Sequence, residues 1–200
     1  RWPGGVLKTL GNTNNHYGVP RNLFRLTSET AVAVLEMGSN HPGEIAHLVS
    51  LAPPQVGLVC NIGQAHLEFF HDLRGVATEK GALLAGTDET GWVIFPREAE
   101  GYDILLENAV KRRCLTFGSS LDADVRSEYL GLQNGLFRVR LSWRDSGVSR
   151  EFSWQLGGAH QALNAAAAAA AGTAFGLTPD EIIRGLQNCV LPGQRMEVRE

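Results

Sequence analysis

The chain has 200 residues and a mass of 21.7 kDa, and its 18 basic and 21 acidic residues give a net charge of −3. Hydrophobic residues make up 44% of it, which is close to the average for globular domains. This charge balance argues against a polybasic nucleic-acid arm and against a disordered acidic tail. No apolar run reaches the length of a membrane span, so we expect a folded domain without membrane insertion.

The cysteines indicate the compartment of the protein, and the two chain ends indicate whether this sequence is a whole protein. Cys60, Cys114 and Cys189 lie far apart and form no CxxC pair. They favour neither a disulfide framework nor a zinc site, and they fit a reducing, cytoplasmic compartment. No signal-peptide core follows Arg1, and no cap closes the chain at Glu200. We therefore expect one domain over residues 1–200 that is a piece of a longer protein.

Short apolar runs alternate with helical patterns over the first part of the chain. The predicted strands are 31–37, 56–60, 92–95 and 114–117, and the predicted helices between them are about 42–51, 73–84 and 102–111. Apolar, β-branched runs of this length, separated by helices, indicate right-handed βαβ units. We expect an α/β fold with a mainly parallel sheet flanked by helices.

The pattern changes within residues 123–157. Three strands are predicted at 125–132, 136–143 and 150–156, joined by Asn134-Gly135 and by residues 145–147. Because Asn-Gly is the strongest short hairpin signal, we expect a small antiparallel meander, separate from the parallel sheet, with one face in water. Two helices, at about 159–175 and 179–188, follow the meander.

The wet face of the meander carries basic residues that suggest an alternative function. Arg138, Arg140 and Arg144 lie on the side opposite its apolar residues, as on a sheet that binds nucleic acid. The acidic neighbours are Glu128, Asp145 and Glu151. Since the two signs of charge are mixed on this face, the sequence disfavours a nucleic-acid partner.

Polar residues follow the first two predicted strands. Glu36 ends the first strand, and Asn61 and His66 follow the second. Ligands of open parallel sheets bind outside the carboxyl ends of the strands, and carboxylate and neutral imidazole suit Mg²⁺ or Mn²⁺. This edge is a candidate metal site. The alternative is that Glu36 caps the next turn and His66 is an ordinary loop histidine.

Lys80 lies in an apolar row of its predicted helix. Asp72 can cap this helix, and Leu73, Val76 and Leu84 fall on the same stripe as Lys80. A desolvated lysine has a lowered pKa and can act as a nucleophile or take up CO₂ as a carbamate. The alternative is that the stem packs while the ammonium group reaches water. Lys80 and His66 can share one site only if the chain turns between them.

Two glycine-containing segments and one arginine are candidates for anion or nucleotide binding. Residues 9–20, which include Asn14 and Asn15, are dense in Gly and Asn, and residues 157–164 begin with a Gly pair and end with Asn164. Both can expose backbone amides to a ligand, or both can be ordinary turns. Arg195 follows Gly193-Gln194 and can meet phosphate or solvent. No GxxxxGK[ST] phosphate loop occurs.

Taken together, these motifs resemble the Mur ligases. The matching segments, in family order, are 11–20 (GNTNNHYGVP), 36–38 (EMG), 42–44 (PGE), 61–68 (NIGQAHLE), 79–81 (EKG), 158–164 (GAHQALN) and 195–196 (RM). They span nearly the whole chain. The first and fourth segments favour members that act on UDP-muramoyl tripeptide over the folylpolyglutamate synthases, which resemble the family in fold.

The resemblance implies the middle domain of an ATP-dependent amide ligase, with a fold like that of the P-loop NTPases. Such an enzyme adds D-alanyl-D-alanine to UDP-muramoyl tripeptide through an acyl phosphate, in peptidoglycan precursor synthesis. It implies three catalytic residues, Lys80, His66 and Glu36, that also bind magnesium, Lys80 as a carbamate. The implied cofactors are therefore ATP and Mg²⁺, and the implied partners are the two small-molecule substrates.

The resemblance also assigns residues to the two ligands. It implies that Asn164, Arg195 and His160 bind ATP, and that Asn14 and Asn15 bind the nucleotide-sugar substrate or its acyl phosphate.

This sequence departs from the family pattern at several places. The phosphate loop, the N-terminal UDP-binding domain and the C-terminal domain are absent from these residues. Gln161 replaces an Asn, Ala82 stands where Glu often follows Lys-Gly, and Gln194 interrupts a Gly-Arg pair. We expect the chain by itself to fold but to be inactive. The alternatives are a non-catalytic relative and a ligase similar to folylpolyglutamate synthase.

Overall fold

The structure is a computed structural model that describes residues 4–64 and 67–189. The strands in this part, β1 to β8, are Gly5–Lys8, Thr30–Val34, Val56–Leu58, Trp92–Pro96, Arg113–Gly118, Val125–Gln133, Leu136–Trp143 and Ser149–Trp154. The helices, α1 to α7, are Gly18–Leu23, Glu44–Leu51, Leu67–Phe70, Leu73–Ala85, Tyr102–Asn108, Ala159–Ala174 and Pro179–Gln187. The sequence analysis missed β1, α1 and α3.

The main sheet has six strands in the order β3-β4-β5-β6-β7-β8. Strands β3 to β6 pair in parallel, and β6 to β8 pair antiparallel. This confirms the predicted α/β fold with a mainly parallel sheet and a small antiparallel meander.

The expectation that the meander is a separate patch is wrong, because β6 pairs with β5. Parallel neighbours normally need a crossover of a dozen or more residues. Here only the end of β5 meets the start of β6, with Phe117 opposite Val125 and Gly118 opposite Arg126. Asp124 closes the short connection, because its Oδ2 accepts hydrogen bonds from the backbone N and the Oγ1 of Thr116, both at 2.7 Å. The meander therefore extends the sheet sideways.

A second, two-stranded sheet lies near the start of the chain. In it β1 pairs in parallel with β2, which is the first strand predicted from the sequence. Of the nine residues in these two strands, Leu7 alone is buried. Strand β1 was missed because it has four residues, starts at a glycine and lacks a buried face.

Helices cover both faces of the parallel part of the main sheet, strands β3 to β5. In β4, Ile94 faces α6 and α7, whereas Val93 and Phe95 face α4 and α5, and all three side chains are fully buried. Such continuous burial is typical of a parallel strand with helices on both sides. Most alanines of α6 are buried against the sheet, so this helix backbone approaches the sheet closely.

The turn between α3 and α4 is the bend that the sequence analysis required between His66 and Lys80. Helix α3 ends at Phe70, and His71 has a φ of 65°. Asp72 then caps α4, accepting a hydrogen bond from the Gly75 backbone N at 2.8 Å. The predicted cap at Asp72 is confirmed.

Candidate functional site

The first candidate site lies where β1 and β2 end. The Asn14 side-chain amide donates a hydrogen bond to Oε1 of Glu36 at 2.9 Å. The Glu36 backbone N donates to Oγ1 of Thr9 at 2.8 Å, and the Gly38 backbone N donates to the Asn14 carbonyl at 2.9 Å. The Asn-rich loop and the segment after β2 are therefore joined by side-chain and backbone contacts. They hold an exposed carboxylate in one orientation.

Asn15, which the sequence analysis grouped with Asn14, has a local structural contact. Its Oδ1 accepts hydrogen bonds from the backbone N of Gly18 at 3.0 Å and of Tyr17 at 3.2 Å. These bonds fix the turn that leads into α1. The residue is exposed and lines the cleft described below.

Asn22 holds this loop in place and was missed by the sequence analysis. The side chain is 2% exposed. Its amide donates to both oxygens of Thr13 at 2.9 Å and to the carbonyl of Gly18 at 2.8 Å, while its Oδ1 accepts from Arg25 at 2.8 Å. Nothing in the local sequence distinguishes Asn22 from a solvent-exposed helical asparagine.

Lys80 lies on α4 and points to the carboxyl end of β3. Its Nζ donates a hydrogen bond to the Asn61 backbone carbonyl at 2.7 Å. Burial lowers the pKa of the Lys80 ammonium group, an effect that Cys60 partly opposes. A lowered pKa increases the share of neutral amine at a given pH, and the neutral amine is the nucleophilic form.

The thiol of Cys60 lies close to both Lys80 and Glu36. Burial raises its pKa, Lys80 lowers it and Glu36 raises it again. Part of Cys60 reaches the surface. Lys80 and Glu36 are both close enough to Cys60 to shift the pKa of its thiol. The segments after β2 and β3 therefore come close together at Cys60, while the predicted convergence of Glu36 and Asn61 with His66 stays a prediction.

Two adjoining clefts open beside the Asn14–Glu36 pair. One, of about 400 Å³, is lined by Asn15, His16, Gly38, Pro42, Gly43, Glu44, His47 and Leu48. The other, of about 240 Å³, is lined by Asn14, Asn15, His16, Gly38, Ser39, Asn40 and Glu44. The Asn-rich loop forms one wall of both clefts, and the segment from β2 to α2 forms the opposite wall. We call the two together the 38–44 cleft.

A divalent cation fits part of this donor set. The Glu36 carboxylate is an oxygen ligand of the kind that Mg²⁺ prefers, whereas the Lys80 ammonium group has no free electron pair for a metal. Among residues 4–64 and 67–189, no group of three or more His, Cys, Asp or Glu side chains has the geometry to hold a metal. His66, the third predicted ligand, lies outside the described residues.

The predicted nucleotide-binding residues lie at the start of α6. Gly158 is the N-cap, with a φ of 95°, and His160 and Asn164 are exposed on the first turns. The Asn164 amide donates to Oε1 of Gln161 at 3.1 Å. The predicted partner Arg195 lies outside the described residues.

The glycine pair before α6 is fixed by packing. A Cβ on Gly157 would lie 2.3–2.5 Å from the Phe137 ring, which no real side chain tolerates. The meander thus fixes the path of the chain as it enters α6.

The arginines of the meander are paired with carboxylates. Arg140 bonds both Glu128 and Glu151, and Arg138 bonds Glu151. Arg144 bonds Asp124. These ion pairs mix the two signs of charge on this face of the meander, as the sequence indicated. Within the described residues, no helix is long and apolar enough to cross a membrane.

Comparison with known proteins identifies the family. The sequence profile of the Mur ligase middle domain matches residues 2–172. UDP-N-acetylmuramoyl-tripeptide–D-alanyl-D-alanine ligase from Bacillus subtilis is 32% identical over 193 residues, covering 96% of this chain and 40% of that protein. The ligase of the same name from Escherichia coli is 37% identical over 200 residues, covering 98% of this chain and 43% of that protein. The chain therefore spans less than half the length of these relatives.

Solved structures lead to the same family assignment. MurF from Acinetobacter baumannii superposes with a TM-score of 0.89 at 30% identity, covering 97% of this chain and 42% of that one. The MurF ligase of Thermotoga maritima, solved in complex with ADP, gives a TM-score of 0.85 at 29% identity, covering 98% and 45%. Folylpolyglutamate synthase from Thermotoga maritima, at 20% identity and a TM-score of 0.61 over 82% of this chain and 36% of that one, shares the fold alone. The chain belongs to the Mur ligase middle domain family.

Proposed function

We propose that the chain is the central domain of an ATP-dependent ligase that adds D-alanyl-D-alanine to UDP-N-acetylmuramoyl-tripeptide. One observation carries the proposal: the Asn14–Glu36 pair and Lys80 lie at strand ends in a chain that matches ligases of that name over 96–98% of its length. The reaction joins a carboxylate to an amine by way of an acyl phosphate, so the site must bind ATP and two small-molecule substrates.

Glu36, His66 and Lys80 are the proposed catalytic residues and the proposed magnesium ligands. Asn14 orients the Glu36 carboxylate through Oε1, which leaves its second oxygen for a cation. Magnesium, when bound, neutralises crowded phosphate charge in the transition state. Lys80 would contribute oxygen ligands only as a carbamate, formed when its neutral amine attacks CO₂ and loses a proton. Burial, which lowers the pKa of Lys80, favours the neutral amine.

The remaining assignments concern the two ligands. His160 and Asn164 present polar groups at the start of α6, and we assign them to ATP together with Arg195. We assign Asn14 and Asn15, in one wall of the 38–44 cleft, to the nucleotide-sugar substrate. The product would serve peptidoglycan synthesis, and hence cell-wall biogenesis, cell shape and cell division. The free thiols of Cys60, Cys114 and Cys189 support a reducing, cytoplasmic location.

The proposed ligation is tested at Lys80. In the full-length gene product that contains this chain, Lys80→Ala removes the proposed carbamate, and we expect ligation to fall to background. The assay is phosphate release with ATP, Mg²⁺, UDP-N-acetylmuramoyl-tripeptide and D-alanyl-D-alanine. Added short-chain carboxylic acids should restore part of the activity of this variant, because they supply the missing oxygens.

The matched control is Lys111→Asn, which removes an exposed lysine. Lys111 has a φ of 72°, a conformation that Asn tolerates better than Ala does, so the control changes charge without straining the backbone. We expect wild-type turnover from it. Near-normal turnover by Lys80→Ala would show that no carbamate at this position is needed. An inactive wild type would refute the proposed ligation itself.

A further inference from the structure

Glu79 is a buried carboxylate with no role in the mechanism above. It is 7% exposed and is the one charged residue in the buried polar set of the described chain. Burial of an ionised carboxylate is costly unless its oxygens receive hydrogen bonds. Within residues 4–64 and 67–189, no Lys, Arg or His side chain forms an ion pair with it.

Three neutral donors surround the Glu79 carboxylate. Oε1 accepts from the Ser39 hydroxyl at 2.9 Å and from the Ile45 backbone N at 2.8 Å, and Oε2 accepts from the Gly43 backbone N at 2.7 Å. Gly43 is the N-cap of α2 and Ile45 lies in its first turn, where unpaired amides and the helix dipole favour a negative charge. The partners lie 34–40 residues away in sequence, so these bonds join distant segments.

The donors belong to one wall of the 38–44 cleft. Ser39 and Gly43 both line it. Gly43 has a φ of 89°, a left-handed conformation that residues other than glycine rarely adopt, and its amide donates to Glu79. The position of this wall therefore depends on the Glu79 carboxylate.

The next residue on α4 is Lys80. Successive residues of a helix point about 100° apart, so Glu79 faces the segment after β2 while Lys80 faces the segment after β3. The contacts are Glu79 to Ser39, Gly43 and Ile45, and Lys80 to the Asn61 carbonyl. One turn of α4 thus contacts the loops after two strands.

We propose that Glu79 is a positioning residue that fixes the wall of the 38–44 cleft relative to Lys80. The inference rests on the proposed function, because the substrate assigned to the cleft is the nucleotide-sugar peptide. Without the Glu79 carboxylate, residues 39–45 lose the two oxygens that accept their three hydrogen bonds, and the cleft wall moves away from the Asn14–Glu36 pair. Binding of the nucleotide-sugar substrate is then weakened, while the nucleotide residues on α6 keep their places.

The test uses Glu79→Gln in the full-length gene product. This change keeps the size of the side chain, removes its charge and turns an NH₂ group toward at least one donor. We expect the KM for UDP-N-acetylmuramoyl-tripeptide to rise about tenfold, which corresponds to ~1.4 kcal/mol, and the KM for ATP to stay at the wild-type value. A purely structural role would lower the active fraction, and therefore kcat, without separating the two KM values.

Glu98→Gln is the matched control. Glu98 also accepts from two backbone amides and a serine hydroxyl, those of Ser119 and Ser120, but it holds the loop after β5. It does not line the 38–44 cleft. We expect this variant to keep the wild-type ratio of the two KM values.

Ser39→Ala provides a milder second variant that keeps the two backbone amides on Glu79. We expect it to raise the KM for the nucleotide-sugar substrate about threefold and to be non-additive with Glu79→Gln, since both changes remove the same bond. If Glu79→Gln fails to fold, an unchanged KM ratio in Ser39→Ala overturns the proposal.

Amide hydrogen exchange separates this inference from the proposed function. We expect the Gly43 and Ile45 amides to exchange at least tenfold faster in Glu79→Gln than in the wild type, and the Ser119 amide to be unchanged. If the wild-type protein has no ligase activity, the proposed function is refuted. The exchange result alone then decides whether Glu79 positions the cleft wall. Unchanged exchange together with an unchanged KM ratio overturns the positioning role.

Discussion

The two-stranded sheet and the six-stranded sheet are stabilised by different interactions. In β1 and β2 only Leu7 is buried, and the neighbouring α1 is joined to the Asn-rich loop by the hydrogen bonds of Asn22. In the six-stranded sheet, by contrast, β4 has three consecutive fully buried apolar residues. The comparison shows that the Asn-rich loop is held mainly by polar contacts, with only a small apolar cluster behind it, whereas the main sheet is held by extensive apolar packing.

The largest expected effect compares two phenylalanines. Phe95 is fully buried in β4, whereas Phe24, after α1, is 90% exposed. We expect Phe95→Ala to lower the free energy of unfolding by about 3–5 kcal/mol and Phe24→Ala to change it by less than about 0.5 kcal/mol. Urea unfolding of both variants measures the difference. Equal losses would mean that the region around α1 is packed as tightly as the main sheet, and the contrast would fail.

A second comparison concerns Asn22, whose hydrogen bonds hold the Asn-rich loop beside the small apolar cluster that contains Val19. Asn22→Ala leaves the Leu10 amide, the Arg25 guanidinium group and two carbonyls without their partner. We expect a loss of about 1–3 kcal/mol in the free energy of unfolding, measured by thermal unfolding.

The control for Asn22 is Asn188→Ala, at the exposed C-cap of α7. We expect it to cost less than about 0.5 kcal/mol. If Asn22→Ala is as mild as this control, polar contacts do not stabilise the loop.

The third comparison tests close packing in the six-stranded sheet with two glycines. A Cβ on Gly157 would clash with the Phe137 ring, whereas a Cβ on Gly185, in α7, would meet nothing within 4 Å. We expect Gly157→Ala to destabilise the chain by about 1–3 kcal/mol and Gly185→Ala to stabilise it by about 0.5–1 kcal/mol. Calorimetric unfolding of the two variants measures the sign and the size of each change in stability.

Phe137→Leu should recover part of the loss caused by Gly157→Ala, because the smaller side chain makes room for the added methyl group. No recovery would show that the ring is not what excludes a side chain at position 157.

Local signals in the sequence predicted local structure. Asp72 caps α4 as expected, and Thr178 caps α7 with the full capping box, a local pattern of a threonine followed three residues later by a glutamate. At the predicted hairpin turn, Asn134 and Gly135 have φ values of 54° and 76°, the left-handed pair that a type I′ turn requires. These features depend on residues a few positions apart, so a single sequence contains the information.

Long-range contacts were not predictable in the same way. The pairing of β5 with β6 depends on the Asp124 contact with Thr116 rather than on hydrophobic periodicity. Glu79 looks in sequence like any helical glutamate, since its partners lie more than 30 residues away. Within the candidate site, the sequence predicted Glu36 because it follows a strand and Lys80 because it interrupts an apolar row.

The topology of β6 has a practical consequence for labelling and engineering. Because this strand overlaps β5 by two residue pairs and then continues beside β7, the β6–β7 hairpin is a lateral arm whose turn at Asn134-Gly135 is exposed. An exposed turn of this kind is where a peptide tag, a fluorophore or new chain ends are tolerated best. The connection at 119–124, in contrast, sets the register between the two halves of the sheet, and inserted residues there would shift one half against the other. The hairpin turn is therefore the attachment point for a probe that reports on this domain without disturbing the cleft.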